Sequence, residues 1–191
     1  MRNTPPPLPS TPVRHDLQPH PDFPCRVLGG LTVEAARPAP NVLQLRHRLS
    51  GVTDGLVLPP TAPPARTDEL WRRTCLEAFV RLPGAPGYRE LNLSPGGPWA
   101  AYRFDGYREG MANADVPAPH VTTDRDGDTF DLAAAWTLDL PSDLPWQVAV
   151  TAVIEAADGS ISYWSLRHPA ARPDFHHADG FVLELPPISG P

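Results

Sequence analysis

The chain holds only two cysteines, Cys25 and Cys75, in no CxxC pair and without the spaced His partners of a zinc site, so neither a disulfide scaffold nor a zinc module is expected. No run approaches the about 18 apolar residues of a membrane-spanning helix. No apolar stretch precedes the N-terminal prolines either, so no secretory signal is expected, and the chain is read as cytoplasmic with both thiols reduced. Basic surplus is also missing: the formal net charge is −6, and phosphate backbones need a basic field, so a nucleic-acid partner is excluded. The locally basic RHR (46–48) and WRR (71–73) read as solvated strand or turn residues. The signatures GxSxG, HExxH, GxxxxGK[ST] and GxGxxG are all absent, and no internal repeat is visible. No stretch reads as a helix.

What is abundant is proline, 27 of 191 residues. It clusters at the N-terminus, near 59–64 and at turns, punctuating a fold. Residues 1–22 combine proline with no apolar periodicity and are expected to form a loose tail, with His15 and His20 solvated. Residues 23–188 are expected to form one domain.

That domain reads as all-β. In NVLQLRHRLSG, Leu43, Leu45, His47 and Leu49 share one face and Gln44, Arg46 and Arg48 the other, which makes His47 a hydrogen-bonded core or edge histidine. GLVLPP (55–60) reads as a further short strand. PGAPG (83–87) and SPGGP (94–98) are turns, while RDGD (125–128) and Asp158-Gly159 close hairpins. Strand 146–156 (WQVAVTAVIEA) is expected to be covered on both faces for much of its length. About ten or eleven short strands at this spacing predict an antiparallel β-sandwich of jelly-roll type.

Residues 69–111 carry the unusual chemistry. Leu76, Ala78, Val80 and Leu82 alternate with Glu77, Phe79 and Arg81, as on a strand with one buried face. Cys75 is expected near the inner face. On the other face, Glu77, Glu90 and Asn92 fall among Trp71, Tyr88, Trp99, Tyr102 and Tyr107, which suits a polar ligand held against aromatic planes. Flat rings cover the apolar side of a pyranose, and carboxylate, amide or guanidinium groups take its hydroxyls. Trp71, Trp99, Tyr102 and Trp164 are the candidate platforms; Glu77, Glu90, Asn92, Arg103 and Arg108 are the candidate polar partners. Two accounts of Glu77 and Glu90 stand side by side: this ligand site, or a cross-strand salt bridge with Arg103 or Arg108.

LWRRTCLEAFVRL (70–82), YRELNLSPGGPWAAYRFDGYREGM (88–111) and YWSLRHPAARPDFHHADGFVLEL (163–185) together resemble bacterial DOMON-like proteins, relatives of the carbohydrate-binding modules of family nine, over about residues 24–186. The resemblance implies a jelly-roll sandwich with a ligand pocket on one face. It also implies a saccharide ligand, with Trp71 and Trp164 as a pair sandwiching a sugar ring, and it marks His168, Asp174 and His176 of the 168–177 loop. Some members of the wider group bind haem b instead, for which Met111 with His168, His176 or His177 is the candidate axial pair. That loop fits no zinc spacing, so no metal is expected. A carboxylate-dependent hydrolase using Glu77 and Glu90 is the third reading, behind a non-catalytic binding module.

Overall fold

The computed structural model describes residues 13–188. Twelve strands, all paired antiparallel, and two 3₁₀ turns make up its regular structure. The strands are β1 (Arg14–Pro19), β2 (Gly30–Ala39), β3 (Val42–Ser50), β4 (Cys75–Arg81), β5 (Tyr88–Leu93), β6 (Trp99–Phe104), β7 (Ala112–Asn113), β8 (His120–Asp126), β9 (Thr129–Thr137), β10 (Trp146–Glu155), β11 (Ile161–Ser165) and β12 (Leu183–Leu185). The order β7-β6-β5-β4-β10-β11-β1-β2-β3-β9-β8 folds on itself into two layers, with β12 on the edge of β10. The turn is made within β1. Arg14–Leu17 pair with β2, whereas Gln18 and Pro19 pair with Ser165 and Trp164 of β11, so one strand serves both layers.

Composition explains the hairpins. Gly127 and Gly159 adopt φ of 57° and 82°, the left-handed region in which a side chain is strained and glycine is not. SPGGP turns as read, and Gly97 (φ 114°) is required twice over: a Cβ there would come 2.6 Å from the carbonyl oxygen of Ala62 in the proline-rich loop seated on the turn.

Three expectations need correction. The tail does not extend to residue 22: residues 14–19 are strand, because Leu17 (2% exposed) finds a place in the interlayer core, and His20 is buried as well. Residues 1–12 lie outside the described residues. GLVLPP is reduced to one bridge, Leu56 to Ala156, its prolines removing the amide donors a ladder needs. His47 is a core residue as read, yet neither ring nitrogen has a hydrogen-bond partner among the described residues.

The interlayer core collects the alternating positions of both layers: Leu43, Leu45 and Leu49 of β3, Leu76, Ala78 and Val80 of β4, Val148, Val150 and Ile154 of β10. Each leucine, valine and isoleucine among them contributes roughly 1.5–3 kcal/mol when fully buried. Trp99 and Trp136 meet edge to face across it, ring centres 6.0 Å apart. As expected, β10 is covered on both faces. A second apolar cluster, Phe79, Tyr88, Tyr102, Phe104, Ala149 and Phe181, covers the outer face of the β4–β5–β6–β10 layer, and it positions the site.

Candidate functional site

On that outer face the registers set polar groups side by side. Asn92 of β5 lies opposite Glu77 of β4, and Glu77 opposite Thr151 of β10. One rung away, Glu90 lies opposite Tyr102 and Phe79. Segments between strands close over them: the 3₁₀ turn Leu70–Arg72, the 105–111 loop and the 166–182 loop. Between these and the sheet is a pocket of about 390 Å³, lined by Trp71, Glu77, Glu90, Phe104, Arg108, Met111, Val153, Tyr163, Pro173, Phe175 and His176.

The rings are held from behind. Trp71 stands edge-on to Tyr102, whose hydroxyl donates to Asp68 at 2.7 Å, fixing the turn that carries the tryptophan. Glu69, immediately before that turn, and Arg108 on the opposite rim are the two non-glycine residues with positive φ among those described, at 61° and 57°. Backbone strain of this kind costs about 1–3 kcal/mol and persists where surrounding contacts enforce it. At Arg108 those contacts are visible: its guanidinium donates to Asp174 at 3.0 Å, and Asp174 also accepts the Tyr107 hydroxyl at 2.6 Å.

The floor is acidic and enclosed. Glu77 is 3% exposed; its Oε2 accepts a long 3.4 Å bond from Thr151, the Cys75 thiol lies beside the carboxyl, and its Oε1 has no hydrogen-bond partner among the described residues. Burial, reinforced by the neighbouring Glu90 charge, raises its pKa well above the ordinary carboxylate value. Glu90 accepts the Asn92 amide at 2.8 Å, and burial raises its pKa too, against the opposing pull of Asn92 and Arg108. The salt-bridge account of these two glutamates is therefore set aside: Arg108 pairs with Asp174, and Arg103 with Asp105.

His176 completes the wall. The Tyr88 hydroxyl accepts the Arg108 backbone N–H at 3.2 Å and shares a 2.7 Å hydrogen bond with Nδ1 of His176, whose Nε2 faces Glu90 at 3.8 Å. Burial lowers the His176 pKa to about 4, so the ring is neutral at physiological pH. With Nδ1 held by Tyr88, the ring presents Nε2 to the pocket. His168 and His177 are engaged elsewhere, with the Gln18 carbonyl and the Asp179 amide. Of the candidate axial residues, Met111 and His176 line the pocket.

Of the residues singled out in the sequence, Trp71, Glu77, Glu90, Arg108 and His176 line one cavity, with Asn92, Tyr102 and Asp174 directly supporting them. Trp99, Trp164 and His168 are not brought there. Trp99 and Tyr102 are three residues apart on one strand and so point to opposite faces; Trp99 belongs to the interlayer core. Trp164 does too, its indole N–H donating to Ser162, so it cannot pair with Trp71 around a ring. His168 packs edge-on to His20 at 4.9 Å. Cys75 shares the face of Glu77 and not the inner one, and both cysteines are free. Tyr163 and Phe175 escaped the sequence reading. Tyr163, next to Trp164, takes the opposite face by alternation and sits over the pocket through its register with Val153; Phe175 is a loop residue that no periodicity marks.

No protein family and no curated protein matches the chain. Among solved structures, a Bacteroides uniformis protein proposed to bind carbohydrate superposes with a TM-score of 0.65 at 13% identity, covering 89% of this chain and 84% of its own. A family-nine carbohydrate-binding module from Caldicellulosiruptor kristjanssonii in complex with cellotriose gives 0.49 at 12% identity, covering 91% and 84%. The module from the same organism in complex with glucose gives 0.46 at 9%, covering 80% and 74%. The first of these likenesses is one of fold: this chain is an antiparallel β-sandwich.

Proposed function

We propose that the chain is a non-catalytic binding module whose pocket takes a small saccharide, and that the finer kinship to DOMON-like proteins is part of this reading. One observation carries it: half-buried rings, Trp71, Tyr163 and Phe175, surround a floor of buried hydrogen-bonding groups in a cavity within the usual range for small ligands, about 300–1,000 Å³. Rings take the apolar face of a sugar. Arg108 donates to a hydroxyl oxygen, His176 Nε2 bonds a second hydroxyl, and the Glu77 carboxyl accepts from a third. The carbohydrate-binding proposal made for the Bacteroides relative agrees with this reading.

The test is titration calorimetry with tryptophan fluorescence against a panel of mono- and disaccharides. Trp71→Ala is expected to weaken binding about tenfold or more, as loss of a buried aromatic anchor does, while leaving the melting temperature nearly unchanged. Trp164→Ala is expected to lower the melting temperature, since it empties core. A panel in which nothing binds would defeat the proposal.

The hydrolase alternative is favoured by one feature, two buried carboxyls with raised pKa values beside a pocket. Turnover of aryl glycosides that is lost in a folded Glu77→Gln protein would establish it.

A further inference from the structure

Among the described residues no arginine forms an ion pair with the two acidic groups of the pocket floor, although Arg108 acts on Glu90 through space. Glu77 and Glu90 are 3% and 5% exposed, and a buried carboxylate that lacks a positive partner costs several kcal/mol. The basic side chain in the wall, Arg108, is bound to Asp174. His176 is neutral and holds Glu90 no closer than 3.8 Å. The chain contains no lysine. Glu77 lines the pocket, its Oε1 is buried with no hydrogen-bond partner among the described residues, and burial together with the Glu90 charge favours its protonated form. Around them stand Trp71, Phe104, Tyr163 and Phe175, whose ring faces attract cations, more strongly where water is excluded.

We infer that the pocket selects a ligand bearing a cationic nitrogen, a protonated amino sugar, over its neutral counterparts, with Glu77 and Glu90 receiving the ammonium and the aromatic wall shielding it. The sugar ring in this inference rests on the saccharide reading; the charge rests on the carboxylates alone. An ammonium held between two carboxylates takes over the role of the proton and supplies a donor to the empty Oε1. A neutral sugar supplies only hydroxyls, and an N-acetyl group offers an uncharged amide.

The experiment is calorimetric titration of the full chain near neutral pH with glucosamine, glucose, N-acetylglucosamine and, as a cation without a sugar ring, choline. Glucosamine is expected to bind about tenfold or more tighter than either neutral sugar. Glu77→Gln and Glu90→Gln, each verified as folded by its melting curve, are expected to collapse the glucosamine-to-glucose affinity ratio toward one. Equal affinity for glucosamine and glucose in the parent protein would overturn the cation inference and leave the saccharide reading standing. Binding of choline without any sugar, lost in Glu77→Gln, would keep the cation and remove the saccharide. No binding of any of the four would overturn the inference.

Discussion

His47 sits at 3% exposure between Val33 and Leu132 of the neighbouring strands, with no partner at either ring nitrogen among the described residues. Burial lowers its pKa from 6.5 to about 4. A basic group depressed in this way favours the folded state above its unfolded pKa, and that contribution is lost as pH falls from 6.5 toward 4, because the unfolded chain takes up the proton first. His47→Leu removes the unpaired polar atoms and is expected to raise stability by about 1–3 kcal/mol at pH 7. The gain should be larger by roughly 2 kcal/mol at pH 5. Urea unfolding of both proteins at the two pH values measures this; a gain independent of pH would mean that His47 titrates normally. Glu77 and Glu90 slope the other way, their contribution being complete below the ordinary carboxylate value and lost as pH rises through the raised one. They are common to parent and variant, so the difference isolates the histidine.

The irregularity in the β2–β3 ladder between Ala36 and Ala39 has its own fastening. Arg37 is 6% exposed, stacks on the Trp146 ring at 3.8 Å, and donates to the carbonyls of Pro40, Pro141, Leu144 and Pro186. One guanidinium thus ties a bulge, the PSDLP loop and the C-terminal segment together, which five N–H donors in a rigid fork allow and a single ammonium does not. Arg37→Ala leaves carbonyls without donors and is expected to cost about 2–4 kcal/mol, a fall in melting temperature of roughly 5–15 °C for a chain of this length. Arg37→Lys is expected to recover less than half. An alanine variant that melts with the parent would show the clasp to be idle.

In the molecule as a whole, β1 holds a place its composition does not announce. It joins the layers, pairing with β2 through Leu17 and with β11 from Gln18, so its removal opens both sheets at once. Deletion of residues 1–19 is expected to abolish the single cooperative unfolding transition and expose apolar surface to a hydrophobic dye. A truncated chain that still unfolds sharply would show that the seam between β2 and β11 closes by itself.

Much of this architecture could be read from residues alone because its causes are local. Alternation in β3 and β4, glycine at the left-handed corners of the hairpins and proline between strands act within a few residues, and so they announced an all-β sandwich and the acid pair of the floor. Trp99 was misplaced although alternation against Tyr102 already set it on the inner face. Trp164 and Tyr163 are neighbours on a short strand covered on both sides, and only the register of β11 on β10 says which ring meets the cavity. The seating of Phe175 and the diversion of Arg108 to Asp174 join residues 66 or more positions apart in the chain or lying in loops. Contacts of that kind follow from how layers and loops close over one another, and no local pattern encodes them.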